Sequence, residues 1–560
     1  MEKFKDLTYV RPDYDAWMEQ QRGYIAGIKA AKSYEELKQL ILANEKYEAE
    51  QSTMVSIASI RNTLDTGDAF YEQEMALMYE KQGLFALLAK EAGEAILATP
   101  WREELARDFG PLMIKNLEVA QLLANPAIVE DLTKESVLKQ EYSKAAAQAS
   151  TTFRGEPCNF YGLLKHMQST DREERREAFL AWADLYESIS GALDEQYDSL
   201  VSLRRGIAKK LGFEDYIAMR YLERGRYDYK PEDVAAFRAA VVKYVVPVCE
   251  RLAAMQAKRL GLDGLQWYDE SLVYPEGNPT PIGTKDELVA KAQRMYRELS
   301  PESGEFFDFM VEHELFDLET RPGKHQGGYC TALPMYKAPF IFSNFNGTSA
   351  DVDVLTHEAG HAFECYLASR IHPLGEMSFS TSEINEIHSM SMEHFTYPWM
   401  ELFFEDQADK YRSAHLASSL QTIPYLVCVD EFQHRVFEEN LDSAGRRRVW
   451  HELEEKYMPW RHYDGNKFLE EGGFWMQKQH IFLYPFYYVD YALAQMGAFE
   501  FFEKMCEDRE AAWSGYVRLC KSGGSRGYFD TLAYAGLSNP FKEENIRRIV
   551  AFLETKLFHE

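Results

Sequence analysis

Residues 348–370 read TSADVDVLTHEAGHAFECYLASR and place the pattern HExxH within a helical sequence. Thr348 followed by Asp351 predicts a capping box at the helix start. The apolar residues of the stretch recur at helical spacing and predict one buried face: Val352, Leu355, Ala359, Ala362 and Phe363.

The HExxH pattern consists of His357, Glu358 and His361. On a helix, residues four apart differ by about 40° in direction and by about 6 Å in rise, so both imidazoles can reach one metal ion. Glu358 points about 100° away from His357, which predicts a carboxylate beside the metal rather than a ligand. The pattern therefore predicts a metal site with an adjacent base.

A catalytic zinc ion keeps three protein ligands and one open position. The metzincin pattern would need Gly at position 364 and His at position 367, and Glu364 and Leu367 exclude it. The third ligand is therefore sought in residues 380–397, STSEINEIHSMSMEHFTY, where the candidates are three acidic residues: Glu383, Glu386 and Glu393.

Glu386, Ser389 and Glu393 share one helix face at spacings of three and four. This spacing lets Glu386 bind the metal while Glu393 supports the site from behind, although it leaves the other two acids open as ligands. Asp353, four residues before His357, is a further candidate for such a supporting role.

A hydrolytic metal site also needs a hydrogen-bond donor for the oxyanion that develops during attack on a carbonyl. Residues 480–491, HIFLYPFYYVDY, offer polar aromatic side chains at spacings of four, four and three: His480, Tyr484, Tyr488 and Tyr491. Pro485 interrupts this pattern and is expected in the first turn of the following helix. Phe486 and Tyr487 are expected to be core residues.

Most of the remaining chain has the texture of long packed helices, notably residues 14–98, residues 132–227 and everything after residue 347. Residues 261–284 are rich in Gly, Pro and Asn and predict a loop. Short aromatic and β-branched runs within residues 329–345 are the only strands that we expect. The fold class is therefore mainly α with a small sheet.

The composition excludes several classes of protein. The chain of 560 residues has a net charge of −28, which argues against a nucleic-acid-binding protein. Its charged N-terminus lacks a signal-peptide core, and no stretch is apolar enough for a membrane span. Seven scattered cysteines without a CxxC pair indicate reduced thiols, so we expect a cytoplasmic protein without membrane or nucleic-acid partners.

Several motifs in order resemble one family. They are HEAGH with a glutamate 25 residues after its second histidine, GKHQGGYC (323–330), SNFNGT (343–348), HIFLYPFYYVDYA (480–492), KKLGFEDYIAMRYLE (209–223) and RLGLDGLQWYD (259–269). Together they resemble the thimet oligopeptidase and oligoendopeptidase F family of zinc metallopeptidases, closer to the oligoendopeptidase F branch. The likeness covers roughly residues 130–550.

The resemblance implies one zinc ion per chain, with three ligands: His357, His361 and Glu386. It implies Glu358 as the general base, and it implies that three residues line the site and stabilise the oxyanion or hold the substrate: Tyr491, Tyr488 and His480. It also implies contact with the substrate from Tyr484 and from a Gly-rich loop: Gly327, Gly328 and Tyr329.

The family fold implies a two-lobed helical zincin of the gluzincin type, with a small β-sheet next to the active site and a deep central channel. We expect an N-terminal helical lobe over residues 1–200 and a catalytic metallopeptidase region over residues 201–560. A deep channel would admit short unfolded peptides and exclude folded proteins, which implies oligopeptide substrates.

The function expected from these points is a zinc-dependent endopeptidase that cleaves internal bonds of short oligopeptides. One alternative is a zinc carboxypeptidase of a related helical family, although the HPF-type segment of those enzymes is missing here. An aminopeptidase would carry a GxMEN motif, which is also missing. A non-catalytic helical binding protein with a metal site would be expected to lose Glu358, which is present. The sequence leaves the oligomeric state open.

Overall fold

Helices carry most of the chain, and the predicted mainly α class is confirmed. Within residues 1–558, which the computed structural model describes, the helices are α1 (Tyr14–Ala30), α2 (Tyr34–Leu64), α3 (Ala69–Leu97), α4 (Arg102–Phe109), α5 (Pro111–Leu123), α6 (Val129–Gln148), α7 (Phe160–His166), α8 (Arg172–Lys210), α9 (Tyr216–Glu223), α10 (Pro231–Ala240), α11 (Val246–Arg259), α12 (Lys285–Leu299), α13 (Pro301–Glu312), α14 (Ala350–Ile371), α15 (Ser382–Phe395), α16 (Met400–Phe404), α17 (Ala408–Glu439), α18 (Ser443–Tyr457), α19 (Lys467–Glu470), α20 (Gln479–Leu483), α21 (Tyr488–Glu507), α22 (Arg509–Ser522), α23 (Tyr528–Ala535) and α24 (Glu543–Leu557).

Short polar side chains start several of the long helices. Asp13, Ser33, Asp68 and Asp171 each accept a backbone N–H from the first turn of α1, α2, α3 and α8, respectively. These caps satisfy donors that a helix start leaves unpaired. They also explain why the continuous helical texture of residues 14–98 divides into three helices.

The small sheet lies directly before α14 in the chain. It contains β3 (Phe316–Glu319), β4 (Tyr329–Leu333) and β5 (Ala338–Phe345) in the order β3-β5-β4. β4 pairs antiparallel with β5, and β3 pairs parallel with it. Helix α14 packs against β5, so the sheet supports the helix that carries the HExxH pattern.

Two strand pairings depart from the sequence expectation. β3 was not predicted, because four residues of mixed polarity give no strand pattern and its partner β5 lies more than 20 residues away. A separate hairpin of β1 (Thr151–Phe153) and β2 (Glu156–Cys158) was also missed. The prediction of strands only within residues 329–345 is therefore wrong.

The chain forms two compact units. The first consists of Met1–Ala124, Pro279–Asp409 and Gly497–Ser538, and the second of Asn125–Asn278, Lys410–Met496 and the chain from Asn539 onward. Residue 200, the boundary expected from the sequence, lies inside α8 of the second unit.

Each unit has its own apolar packing. In the first unit a buried cluster joins α1, α2 and α3 to the segment after α14 and includes Ile25, Leu37, Ala95 and Met377. In the second unit Trp475 packs between the rings of Tyr197, Phe432 and Phe482. None of the helices within residues 1–558 combines the length and the apolar composition that a membrane span requires.

Candidate active site

The helix with the HExxH pattern starts differently from the prediction. α14 begins at Ala350 after Ser349, and no side chain caps it. The carboxylate of Asp351 instead accepts the N–H groups of Asn346 and Gly347, at 2.9 and 2.8 Å. The predicted capping box between Thr348 and Asp351 is therefore wrong, because Asp351 turns back to hold the loop that follows β5.

Three predicted metal ligands come together in the first unit. Nε2 of His357 lies 3.4 Å from Oε2 of Glu386, and Nε2 of His361 lies 3.6 Å from the same oxygen. One ligand atom from each residue falls in a group whose members are all within 4.8 Å of one another. Two imidazoles and one carboxylate with converging atoms are a donor set that suits a zinc ion.

The carboxylate and the first imidazole of this group are each held from behind. Nδ1 of His357 lies 2.6 Å from Oε1 of Glu393, which is the arrangement that fixes the orientation of a metal-binding histidine. Oγ of Ser389 donates to Oε2 of Glu386 at 3.1 Å and to its carbonyl oxygen at 3.0 Å. The predicted face of Glu386, Ser389 and Glu393 is thus turned towards the two histidines.

Burial and neighbouring charges shift the acidity of this group. Burial opposes the charged imidazole of His357, yet Glu386 and Glu393 outweigh it and raise the pKa of His357 well above its ordinary value. Burial lowers the pKa of His361 to about 4. Burial also raises the pKa of Glu358 to about 7, with His357 opposing the rise and Glu386 adding to it.

Glu358 lies beside the group without joining it. Its Oε2 is shielded from solvent and makes no hydrogen bond to any residue within 1–558. Buried polar oxygen atoms are normally satisfied, so an unsatisfied carboxylate oxygen next to a group that could hold a metal indicates a functional role. This is the position that the sequence predicts for a base rather than a ligand.

Gly360 explains how the two helices of the site come so close. A Cβ atom on Gly360 would lie 2.6 Å from the carbonyl oxygen of His388 and 2.6 Å from Cα of Ser389. No side chain fits in that space, so glycine permits the backbone of α14 to contact that of α15. This contact between the two helices sets the distance from the histidines to Glu386. The contact cannot be predicted from spacing along the sequence.

The Gly-rich loop approaches Glu358 from β4. A Cβ on Gly328 would lie 3.7 Å from Oε1 of Glu358 and 3.3 Å from the carbonyl oxygen of Phe342. Gly327 has a φ of +93°, a conformation that side-chain-bearing residues rarely adopt. Asn344 fastens the loop by donating to the carbonyl oxygen of Gly327 at 2.8 Å.

Tyr329 follows this loop on β4, and both its ring and its hydroxyl group contact other residues. The ring stacks on Phe342 with a centroid separation of 4.8 Å. Its hydroxyl lies 2.6 Å from Oγ1 of Thr63 on α2. The sequence does not predict this contact, because Thr63 lies 266 residues from Tyr329 and belongs to no motif.

The predicted aromatic residues form a cluster in the second unit. The ring of His480 lies 4.7 Å from that of Tyr488 and 5.9 Å from that of Tyr484, and Tyr488 lies 5.9 Å from Tyr491. Burial lowers the pKa of His480 to about 4, with the charge of Lys478 adding to the shift. Burial raises the pKa of Tyr488.

Pro485 occupies a different position from the predicted one. His480 belongs to the short helix α20, and α21 begins only at Tyr488, so Pro485 lies in the turn between two helices. The expectation that Pro485 sits in the first turn of a helix is therefore wrong. Phe486 is fully buried as expected of a core residue, whereas Tyr487 is only half-buried.

Two acidic candidates lie outside the metal-binding group. Glu383 is buried in the first turn of α15, and Asp353 is half-buried one turn before His357 on α14. Among the described residues, the group that could hold a metal contains Glu386 as its carboxylate. Spacing along the chain alone leaves Glu383 and Glu393 as alternatives to Glu386.

Two known family profiles match this chain, one in its N-terminal part and one over most of the remainder. The profile of the peptidase M3 N-terminal domain matches residues 4–123, and that of peptidase family M3 matches residues 165–278 and 303–550. Oligopeptidase PepF of Bacillus subtilis (strain 168) is 22% identical over 557 residues, which cover 91% of this chain and 78% of that protein. The chromosomal oligoendopeptidase F of Lactococcus lactis subsp. cremoris is 24% identical over an alignment that covers 68% of this chain and 62% of that protein.

Solved structures extend the likeness to the whole chain. An X-ray structure of a provisionally named oligoendopeptidase F is 42% identical with a TM-score of 0.92, over 100% of this chain and 99% of that one. PZ peptidase A, solved with an inhibitor, is 41% identical with a TM-score of 0.92, over 99% of each chain. The resemblance predicted from the sequence is confirmed, and the chain is a peptidase that belongs to peptidase family M3.

Proposed function

We propose that this peptidase is a zinc-dependent endopeptidase that hydrolyses internal bonds of short oligopeptides. The observation that carries the proposal is the convergence of His357, His361 and Glu386 to within 4.8 Å, next to the unsatisfied carboxylate of Glu358. The relatives named as oligopeptidases and oligoendopeptidases support the same substrate class.

His357, His361 and Glu386 would hold one zinc ion per chain, with Glu393 and Ser389 keeping the first histidine and the carboxylate in place. When bound there, zinc would lower the pKa of a water molecule and polarise the carbonyl of the scissile bond. Two imidazoles and one carboxylate are the protein ligands of a hydrolytic zinc site that keeps a fourth position open.

Glu358 accepts the proton of the attacking water in this proposal and passes it to the leaving amine. Its position one residue after His357, with Oε2 free of hydrogen bonds to residues 1–558, supports that role. Tyr491, Tyr488 and His480 serve as donors to the oxyanion or to the substrate, as the family resemblance implies. Tyr484, with 53% of its surface exposed, is assigned to the substrate rather than to the oxyanion.

The Gly-rich loop is proposed to receive the peptide chain. β4 is one of the two edge strands of its sheet, and an edge strand can pair with an extended peptide. Gly328 supports this because any side chain there would take up the space beside Glu358. Gly327 and Tyr329 keep the edge in place through the left-handed turn and the contact with Thr63.

The experiment that tests the proposal uses an internally quenched peptide with both termini blocked. An endopeptidase should cleave it, and mass spectrometry should find two fragments, each of which retains one blocked end. A carboxypeptidase should leave the peptide intact, and this result would replace the proposal by its alternative.

All seven cysteines are unpaired, which is consistent with the proposed cytoplasmic location.

A further inference from the structure

Arginine side chains hold the turn that precedes the tyrosines of α21. Arg204 donates to the carbonyl oxygen of Phe482 at 2.5 Å, Arg220 donates to that of Pro485 at 3.1 Å, and Arg226 donates to that of Phe486. Three carbonyl groups within five residues thus carry charge-assisted hydrogen bonds, which are stronger than neutral ones. The three arginines come from α8, from α9 and from the segment after α9.

The centre of this turn is Phe486, whose backbone is in the left-handed region with a φ of +62°. This conformation is unfavourable for a residue with a Cβ atom, and the side chain of Phe486 is fully buried. Gln433 accepts the N–H of Phe486 at 2.9 Å, while Arg226 binds its carbonyl oxygen. Strained backbone of this kind persists only where the surrounding contacts enforce it.

The same guanidinium connects the turn to the start of α21. Arg226 donates to Oδ1 of Asp490 at 2.6 Å, and Arg224 donates to Oδ2 of Asp490 at 2.5 Å. Asp490 is fully buried in the first turn of α21, and its N–H donates to the carbonyl oxygen of Tyr487 at 3.1 Å. The direction of this first turn is therefore tied to the conformation of Phe486.

Tyr488 and Tyr491 leave α21 from that first turn, and the guanidinium of Arg224 covers the ring of Tyr487 at 4.4 Å. We infer that Gln433 and Arg226 are positioning residues for peptide hydrolysis: they hold Phe486 in its left-handed conformation and so aim Tyr488 and Tyr491. The inference rests on the proposed role of these tyrosines as donors. Such donors stabilise an oxyanion only when they are held in position before the reaction.

The test compares Gln433→Met with Gln256→Met in the zinc-loaded full chain. Gln256 is a matched control, because it is also a buried glutamine of the second unit and its amide holds the carbonyl oxygens of Asp269 and Leu272. We expect Gln433→Met to lower kcat about 10-fold or more while KM changes little, since a shift of about 1 Å in a catalytic group has effects of this size. Gln256→Met should keep the wild-type kcat.

A double-mutant cycle then separates positioning from general structural damage. In a Tyr491→Phe, Tyr488→Phe background, Gln433→Met should lose most of its effect on kcat, because the groups it aims are gone. Independent, multiplying effects would overturn the inference, as would an unchanged kcat of Gln433→Met. If Gln433→Met does not fold, Arg226→Lys replaces it, because lysine cannot bind Asp490 and the carbonyl of Phe486 with one planar group.

The tyrosine variants on their own test the proposed function separately. If Tyr488→Phe and Tyr491→Phe both keep the wild-type kcat, the proposed donor role fails, and a slow Gln433→Met then contradicts the positioning inference. If the tyrosine variants are slow and Gln433→Met is not, only the inference fails.

Discussion

Nδ1 of His357 lies 2.6 Å from Oε1 of Glu393, and Nε2 of the same ring lies 3.4 Å from Oε2 of Glu386. One imidazole is therefore held between two carboxylates from α15, one at each nitrogen atom. The outer carboxylate fixes which nitrogen carries the proton and leaves the other free to bind metal. This relationship would make Glu393 part of the proposed metal site without making it a ligand.

Replacement of Glu393 should weaken zinc binding without abolishing it. We expect Glu393→Ala to raise the zinc dissociation constant by about 10- to 100-fold, and Glu393→Gln to have a smaller effect because its amide oxygen can still accept from Nδ1. Competition with a fluorescent zinc chelator measures both values. If both variants bind zinc as tightly as the wild type, Glu393 does not contribute to the zinc site.

Glu386 and Glu383 form a matched pair on α15, since both are buried and only Glu386 lies with the two histidines. Glu386→Gln should lose most of its zinc on dialysis, because an amide is a far weaker ligand than a carboxylate. Glu383→Gln should keep one zinc per chain. Atomic absorption measures both contents, and the reverse pattern would make Glu383 the ligand.

Gly360→Ala should harm both stability and metal binding. The new methyl group would lie 2.6 Å from the backbone of α15, so α14 and α15 must separate. Overpacking of this kind typically costs about 1–3 kcal/mol. Thermal unfolding and zinc titration measure the two effects.

Gly191→Ala is the control for Gly360→Ala. Gly191 lies in α8, and an added Cβ there meets no atom within 4 Å. Alanine should therefore stabilise α8 by about 0.5–1 kcal/mol. If both variants change stability in the same direction, the contact between α14 and α15 is not the cause.

Glu454 predicts a pH-dependent stability that is independent of metal. Burial raises the pKa of Glu454 from 4.5 to about 7. Between these pH values the folded chain keeps a proton that the unfolded chain has released, so stability falls as the pH rises through this range. The loss reaches at most about 3 kcal/mol above pH 7.

Glu454→Gln removes this titration while the amide oxygen can still accept from the hydroxyl of Tyr463, as Glu454 does. The variant should therefore gain thermal stability relative to the wild type at pH 8 and little at pH 4.5. A difference in Tm that stays constant from pH 4.5 to pH 8 would show that Glu454 does not titrate in this range.

The sequence predicted the parts of the site that depend on local spacing. His357, Glu358 and His361 follow from one helix, because the angle between residues on a helix is fixed. The choice of Glu386 over Glu383 and Glu393 was left open by spacing, because it depends on how α15 lies against α14. That packing is set by the contact of Gly360 with His388, which no local pattern encodes.

The turn at Pro485 could not be predicted from local sequence, because contacts with distant residues set its conformation. A proline near the start of a helical pattern is usually in its first turn. Here Gln433 and Arg226, more than 50 residues away, hold Phe486 in the left-handed region and delay the helix to Tyr488. The strand β3 was missed for a similar reason, since its partner β5 is distant in the chain.

The proposed role of Glu358 is to act as the base beside a zinc ion held by its neighbours. Its most direct test is to measure zinc content and kcat together for Glu358→Gln on the blocked, internally quenched peptide. If Glu358 has this role, we expect one zinc per chain and a kcat lower by about 100- to 10,000-fold. A variant that keeps both its zinc and the wild-type kcat would contradict it.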